Sequence, residues 1–345
     1  MSWINNKILG LFVKTNGVIS RPLFAGMGHI LCFHRVVNPD KRPRILSNSG
    51  KEISEKKLRF ILNFFRAKGY EFINMDQLYE RITKRDKFRK FIVITFDDGY
   101  LDNYTLAYPI FKEMGIPFTI YVSTGMPDHQ LIQWPYFLED YLLKTRCAEF
   151  HYNGNDFKHD LQNMQDRERA YDEIRNIILK DESKALPFFT RNVFKIDYSR
   201  EKQFVKENSL SWEHLKEMSH DRIVTIGAHG KNHMALSALN ESDAFEEILG
   251  SKKRLEEQLQ IKINHFAYPY GSENEFTKRD VKFVARAGFK TAVTIHQGNI
   301  FSTHKNYLYT LPRIPLGNIS NEQILEHIYS GIRHFSFNGF RRIAI

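Results

Sequence analysis

The stretch Phe91–Tyr100, FIVITFDDGY, sets the interpretation of the rest of the chain. Residues 91–94 are all apolar and mostly β-branched, which is typical of a strand buried on both faces. Asp97 and Asp98 follow the strand directly. Because neighbouring side chains of an extended chain point to opposite sides, one carboxylate can bind a metal while the other moves a proton. Asp-Asp-Gly is also ordinary turn chemistry, so the pair indicates a site only in combination with other residues.

The composition is that of a globular protein with a large core. The chain has 345 residues, 42% hydrophobic and 26% charged, and a net charge of +10. A basic balance favours acidic partners such as an anionic glycan, a membrane surface or nucleic acid. The positive charge is scattered and accompanies no nucleic-acid-binding motif, so we expect no nucleic-acid partner. The two cysteines provide neither a disulfide framework nor a cysteine-based zinc site.

Residues 1–29 form an N-terminal segment with an amphipathic pattern. Its apolar residues fall on roughly one helical face: Trp3, Ile4, Ile8, Leu11 and Phe12. Such a helix either packs on its own domain or lies on a membrane surface. The apolar run 8–13 is shorter than a usual signal-peptide core, and nothing approaches the ~20 apolar residues of a membrane span. We therefore expect a cytoplasmic protein, with membrane association as an open alternative.

Strand and helix patterns alternate along most of the chain, which predicts an α/β fold with a parallel sheet. We expect strands at about 30–33, 91–96, 117–122, 223–227, 264–267, 290–295 and 308–311. Residues 128–210 break this rhythm and are rich in charge and poor in strand signals. They predict a mostly helical insertion, which either shapes a substrate groove or has no contact with substrate.

Two histidines follow the strand predicted at 223–227. His229 and His233 are four residues apart, and on a helical turn they face the same side and can bind one metal ion. A carboxylate, such as one of the pair Asp97 and Asp98, completes a three-ligand site with an open position. His34 also follows a strand, at the kind of position where catalytic residues of parallel barrels collect.

Together these motifs resemble a known family. TFDDGY at Thr95–Tyr100 and IGAHGKNHMAL at Ile226–Leu236 are similar to the polysaccharide deacetylases, which are also called carbohydrate esterase family 4 or NodB-homology domains. That family has the motifs T-F-D-D-G, H-[ST]-x-x-H and a later R-x-P-Y. In this chain Gly230 replaces the Ser or Thr, and the third motif, Phe266–Gly271, FAYPYG, lacks the Arg.

FAYPYG is similar to the corresponding stretch of the biofilm poly-N-acetylglucosamine deacetylases. In that branch the catalytic histidine follows the first strand in a Y-H-x-V-like motif, which appears here as FHRV at 33–36. The resemblance covers about 30–127 and 211–316. It implies a distorted (β/α)7-type barrel over residues 30–345, interrupted by a helical insertion at about 128–210.

The resemblance also implies a role for each site residue. Asp98, His229 and His233 are the expected ligands of a divalent metal, Zn²⁺ or another transition metal such as Co²⁺ or Ni²⁺. Asp97 is the expected general base, and His34 the group that protonates the leaving amine.

Two further residues complete the expected site. The backbone N–H of Tyr270 is implied as an oxyanion donor. Arg313 follows a predicted strand and either orients Asp97, in place of the missing motif Arg, or is a structural residue.

The implied reaction is metal-dependent removal of N-acetyl groups from an amino sugar in a glycan, glycolipid or lipid-linked sugar. Two alternatives remain open. The same site can serve a sugar O-acetyl esterase or split another amide, because specificity lies in loops. The chain can also be an inactive homologue that only binds glycan, as Gly230 and the missing Arg allow.

Overall fold

The structure is a computed structural model that describes residues 3–15, 17–38, 42–84, 89–196 and 198–343. Its strands, numbered in chain order, are β1 Gly28–Phe33, β2 Arg35–Val36, β3 Glu52–Ile53, β4 Glu71–Phe72, β5 Phe91–Phe96, β6 Phe118–Val122, β7 Cys147–Tyr152, β8 Asn155–Asp160, β9 Val224–Ala228, β10 His265–Ala267, β11 Thr291–Val293 and β12 Ile314–Pro315.

The α-helices surround the sheet and fill the insertion. They are α1 Trp3–Lys14, α2 Ser20–Phe24, α3 Leu46–Ser49, α4 Glu55–Ala67, α5 Met75–Lys84, α6 Tyr108–Met114, α7 Trp134–Lys144, α8 Met164–Lys180, α9 Glu182–Phe188, α10 Tyr198–Asn208, α11 Trp212–Ser219, α12 Glu241–Leu259, α13 Lys278–Arg286, α14 Glu322–Ser330 and α15 Ile332–Asn338. Short π-helical turns cover Asn103–Ala107 and Phe189–Val193, and short 3₁₀ turns cover Leu236–Ala238 and Ser302–Asn306.

The main sheet is parallel, with the strand order β11-β10-β9-β6-β5-β1-β12, and β4 pairs with the first half of β5. Every residue of β1, β5 and β6 is buried, as expected for central strands covered by helices on both faces. Apart from β4, each strand of the main sheet from β1 to β11 lies beside the next one in the chain, and β12 returns to pair with β1. This curled parallel sheet confirms the distorted (β/α)7-type barrel predicted from the sequence.

One predicted strand is wrong. Residues 308–311 do not form a strand, because a turn closed by the Thr310 N–H on the Tyr307 carbonyl occupies them. Only Leu311 makes an isolated parallel bridge, to Val293 of β11. Arg313 therefore lies in the short connection between that bridge and β12.

Between β6 and α11 lies the insertion, which is mostly helical as expected but also contains a hairpin that the sequence analysis missed. β7 and β8 pair antiparallel through a turn at Asn153 and Gly154, whose φ angles are 49° and 76°. Asn-Gly is the preferred sequence for such a two-residue hairpin turn, so the signal was present within a stretch interpreted only as polar. The insertion has its own apolar core, which includes Trp134, Tyr171 and Phe189.

The N-terminal segment packs on the domain. Phe12 of α1 is buried with Phe24 of α2 and with Phe335 of α15. The side chains of Trp3 and Ile4, predicted on the same face, lie outside the described residues. None of the described helices is both long enough and apolar enough to cross a membrane. The cytoplasmic location stays a prediction.

Candidate active site

The predicted site residues gather around the carboxyl-terminal edge of the parallel sheet. Their places are His34 after β1, Asp97 and Asp98 after β5, His229 and His233 after β9, Tyr270 after β10 and Arg313 before β12. Parallel strands end at a common edge, so loops far apart in sequence meet there. The contacts below link these groups into one cluster.

Asp97 forms a buried bidentate pair with Arg313. The terminal nitrogens Nη1 and Nη2 of the guanidinium each lie 2.7 Å from a carboxylate oxygen, and both side chains are almost fully buried. Arg313 is fixed in turn, because its Nε donates to the Thr294 carbonyl at 2.8 Å. Burial favours a raised pKa for Asp97, but Arg313 and His229 outweigh it and hold that pKa below its usual value. Asp97 is therefore ionised and rigidly oriented at neutral pH.

Asp98 faces the two histidines. Its Oδ1 lies 3.4 Å from Nε2 of His229 and 3.2 Å from Nε2 of His233, and ligand atoms of all three lie within 4.8 Å of one another. This Oδ1 is buried and accepts no hydrogen bond from the residues that the structure describes. A buried carboxylate oxygen without a donor, facing two imidazole nitrogens, is the arrangement that a divalent cation completes.

The tautomer of His229 suits this ligand set. Its Nδ1 lies 2.8 Å from the Ala267 carbonyl, which can only accept, so Nδ1 carries the hydrogen and Nε2 faces Asp98. Burial lowers the pKa of His229, yet the nearby Asp97 and Asp98 raise it overall. A metal at Nε2 would therefore compete with a proton, and its binding would weaken as pH falls.

The histidines do not lie on a helical turn, contrary to the sequence interpretation. The segment after β9 is a loop in which Gly230 and His233 adopt φ angles of 74° and 55°. The left-handed conformation of Gly230 explains why a glycine fits at this position. Glu247 of α12, which the sequence analysis missed, holds the loop by accepting from the N–H groups of Lys231 and Asn232 at 2.9 and 2.8 Å.

His34 lies next to the general-base candidate. Atoms of its ring and of the Asp97 carboxylate lie within 4.8 Å of each other and of the Cys32 sulfur. This second group does not suit a metal, because both Asp97 oxygens bind Arg313 and burial raises the pKa of the Cys32 thiol. Burial also lowers the pKa of His34 to about 4, against the opposing effects of Asp98 and Asp97. The ring is thus neutral near pH 7.

Tyr270 lies in the turn that follows β10, with a left-handed φ of 59°. Its ring packs edge-on against the ring of His233, with centroids 4.5 Å apart. Among the described residues its backbone N–H has no hydrogen-bond acceptor. The Tyr270 side chain thus lies beside one of the metal-ligand candidates.

The insertion supplies Glu182, a site residue that the sequence analysis missed. One of its oxygens accepts from the Tyr270 hydroxyl at 2.9 Å, and the other accepts from the Ala235 N–H at 3.0 Å. Glu182 therefore joins the Tyr270 turn to the loop that carries His233. Burial raises its pKa to about 7, although its hydrogen bonds oppose this change. Nothing in the local sequence marks this residue, because its partners lie far away in the chain.

Trp134 of the insertion adds a second contact to the same tyrosine. Its indole Nε1 donates to the Tyr270 hydroxyl at 3.3 Å. Trp134, Glu182, Asp98, His233 and Tyr270 line one cavity, together with Lys51. The insertion thus forms part of the wall around the ligand cluster, which favours the first of the two roles considered for it.

Comparison with known proteins agrees with this geometry. A family model for polysaccharide deacetylases matches residues 84–292, more than half of the chain. The chain belongs to the polysaccharide deacetylase family. The matched region includes both aspartates, both metal-ligand candidates of the histidine loop and Tyr270, whereas His34 and Arg313 lie outside it.

One curated relative is similar to this polysaccharide deacetylase over a limited region. YxkH of Bacillus subtilis (strain 168), whose name assigns it to the polysaccharide deacetylases, is 32% identical over 89 residues. These residues are 25% of this chain and 32% of YxkH, so the match spans about a third of the relative's length.

Solved structures share the fold over most of the chain. The Streptococcus pyogenes deacetylase PplD, in complex with acetate, has a TM-score of 0.57 at 17% identity, covering 87% of this chain and 97% of that one. A de-N-acetylase from Aggregatibacter actinomycetemcomitans has a TM-score of 0.55 at 14% identity, covering 87% and 99%. At these identities the likeness establishes the fold alone.

Proposed function

We propose that this polysaccharide deacetylase hydrolyses the N-acetyl group of an amino sugar within a glycan or glycolipid. One observation carries the proposal: Asp98, His229 and His233 converge beside the Asp97–Arg313 pair. Three ligands with an open side and an adjacent carboxylate form the minimal apparatus for metal-assisted amide hydrolysis. A de-N-acetylase shares this fold, and the choice of N-acetyl rather than O-acetyl chemistry is part of the proposal.

The ligand set fits Zn²⁺ best. Two imidazole nitrogens and one carboxylate oxygen are typical of a catalytic zinc site, and Co²⁺ or Ni²⁺ accept the same donors. When bound, such an ion polarises the acetyl carbonyl and lowers the pKa of a water molecule. His229 and His233 are the expected nitrogen ligands, and Asp98 is the oxygen ligand.

Asp97 is the proposed general base. Its carboxylate is ionised, because Arg313 keeps its pKa low, and its orientation is fixed by two hydrogen bonds. It accepts the proton that the attacking water loses as the new carbon–oxygen bond forms. Arg313 acts through Asp97 and is a positioning residue.

The Tyr270 N–H is the proposed donor to the tetrahedral oxyanion. It has no acceptor among the described residues, and the ring of the same residue touches His233. A preorganised donor aimed at developing charge costs no reorganisation during the reaction. Glu182 and Trp134 hold the tyrosine side chain, and with it the turn that presents this N–H.

His34 is the proposed acid for the leaving amine. A neutral ring in the free enzyme gains its proton only once negative charge develops beside it, since such charge raises the pKa of an imidazole. His34 takes up a proton from solvent once that charge develops and delivers it to the departing nitrogen as the carbon–nitrogen bond breaks, and Asp97 then returns the proton it took from water to solvent. The products are acetate and a free amino sugar.

A polymeric or extended substrate fits the surroundings of the site. Tyr136 lines the cavity around the ligand cluster and also a larger cavity of about 960 Å³. Tyr136, Phe137 and Phe204 give this larger cavity an aromatic wall, and Arg35 and Arg44 lie there too. Aromatic faces beside polar groups are suited to sugar rings, so neighbouring sugar units have a place to bind.

Release of acetate from a defined substrate tests the proposal. We expect the purified protein, loaded with Zn²⁺, Co²⁺ or Ni²⁺ in separate samples, to release acetate from an N-acetylglucosamine oligomer. A chelator should abolish the activity. Release from an O-acetylated xylan but not from the amino sugar would assign the site to O-acetyl esters. Binding of the oligomer without turnover, with metal present, would leave a glycan-binding homologue.

A further inference from the structure

The two chain termini pack together and differ in charge from the rest of the molecule. Residues 1–29 and 327–345 contain six Lys and Arg residues but no Asp or Glu, and so carry most of the net charge of +10. In the structure α1, α2 and α15 share a small core of Phe12, Phe24 and Phe335. A strongly basic module thus lies in one place on the protein.

The same module is unusually apolar on its outside. Of the twelve large hydrophobic side chains that are exposed in the described residues, seven belong to it. We call these seven the terminal face: Leu11, Val13, Val18, Ile19, Leu23, Phe337 and Phe340. Val18 is 75% exposed and Phe340 63% exposed, so the face is not covered by the rest of the chain. These side chains belong to elements that pack on one another, and exposed apolar side chains gathered in one region mark an interaction site more often than scattered ones do.

We propose that the terminal face binds the surface of a membrane containing anionic lipids. Apolar side chains next to Lys and Arg without acidic residues match a lipid surface, where acyl chains take the former and phosphate groups the latter. Lys14, Arg341 and Arg342 are exposed within the module. A second copy of this chain is a poorer partner, because two identical basic faces repel each other.

The geometry leaves the active site free while the membrane is bound. α2 ends at Phe24, just before β1 begins at Gly28, whereas the catalytic cluster lies beyond Phe33 at the other end of that strand. At a rise of about 3.3 Å per residue the two ends of β1 are roughly 17 Å apart. A glycan that extends away from the membrane can therefore reach the site.

Vesicle co-sedimentation tests this proposal. We expect the full chain to sediment with vesicles of phosphatidylcholine mixed with phosphatidylglycerol, and not with phosphatidylcholine alone. Each basic residue near an anionic surface contributes roughly fivefold to affinity, so Arg341→Gln with Arg342→Gln should weaken binding roughly 25-fold. Arg341→Lys with Arg342→Lys should retain it. High salt should release the protein.

The contribution of the apolar side chains to vesicle binding is tested with a matched control. Val18→Asn with Phe337→Asn removes two exposed members of the terminal face, whereas Phe60→Asn removes an exposed phenylalanine of α4 outside it. Only the former should lose vesicle binding. The proposal would be overturned if the wild-type protein did not bind anionic vesicles, or if the Phe60 variant lost vesicle binding to the same extent. The proposal would also be overturned if sedimentation velocity showed a dimer of the wild type that the double variant Val18→Asn with Phe337→Asn dissociates.

This outcome is separable from the proposed function. Acetate release from a soluble oligomer should be unchanged in the terminal-face variants, because none of these residues touches the catalytic cluster. Failure of vesicle binding with intact turnover would reject the membrane surface alone.

Discussion

The strand ends of the barrel and the insertion meet around one cavity but contribute different kinds of group. The strand-end loops supply the charged and ligating groups Asp97, Asp98, His229 and His34. The insertion supplies Glu182, which accepts from the Tyr270 hydroxyl and the Ala235 N–H, and Trp134, which donates to the same hydroxyl. The barrel thus provides the proposed reacting groups, and the insertion holds the Tyr270 turn and the loop that carries His233.

This difference predicts two classes of variant. Changes at strand ends should remove a chemical step and leave the fold intact. Changes in the insertion should misplace a donor, and a side chain that restores the hydrogen bonds should repair the loss. The following experiments test that division, beginning with the largest expected effect.

The largest effect is expected for Asp97→Asn. Loss of a general base costs about 10²- to 10⁴-fold in turnover, and the amide cannot accept the proton. Metal content should be unchanged, since Asp98 and not Asp97 is the proposed ligand. Acetate release and metal analysis are the measurements, and Asp156→Asn, at an exposed position of the insertion hairpin, is the control. Metal loss in the Asp97 variant would show that the two aspartate roles are reversed.

Glu182→Ala should reduce turnover by roughly 10- to 100-fold. It leaves the Tyr270 hydroxyl and the Ala235 N–H without an acceptor, which costs about 1–3 kcal/mol for each buried group. Glu182→Gln keeps an oxygen for Ala235 and a polar group for Tyr270, so it should recover most of the activity. A Gln variant as inactive as the Ala variant would indicate that Glu182 itself reacts with substrate.

The stability of the folded protein should depend on pH through the Glu182 carboxyl. Burial raises the pKa of Glu182 from 4.5 to about 7, so the folded state binds a proton that the unfolded state releases between these values. The free energy of unfolding should fall as pH rises through that window, by up to about 3 kcal/mol relative to Glu182→Gln. Urea unfolding of both proteins at the two ends of the window measures the difference. The same change in the free energy of unfolding with pH in both proteins would contradict the raised pKa of Glu182.

The smallest effect is expected for Trp134→Phe. The substitution removes one 3.3 Å hydrogen bond to Tyr270 but keeps an aromatic ring in the core of the insertion. A neutral hydrogen bond contributes about 1 kcal/mol, so turnover should fall by less than roughly tenfold. The rate of acetate release from the same N-acetylglucosamine oligomer measures this fall in turnover. A loss of turnover as large as that of Asp97→Asn would contradict the division between reacting groups at the strand ends and positioning groups in the insertion.

The sequence predicted the parts of the site that local patterns encode. Asp97, Asp98 and His229 follow apolar runs that read as strands, and strands of a parallel sheet end at one edge. The alternation of strand and helix predicted the parallel sheet, and the family resemblance implied the barrel. These predictions needed no knowledge of distant contacts.

What the sequence did not predict depends on distant contacts or on backbone conformation. Glu182 and Glu247 hold active-site loops through partners 53 and 16 residues away, and no periodicity marks such bonds. His229 and His233 were placed on a helical turn because their spacing suits one, but Gly230 and His233 have left-handed backbones. The hairpin of β7 and β8 was missed although its Asn-Gly turn was visible in the sequence.

Metal content tests the central claim most directly. Mass spectrometry should find about one divalent transition-metal ion per chain in the wild type, and none in His229→Ala. His151→Ala, at an exposed histidine of the insertion hairpin, should retain the ion as a control. A wild-type chain that binds no ion even after incubation with Zn²⁺, or equal binding by His229→Ala, would contradict the proposed ligand set and the hydrolytic mechanism built on it.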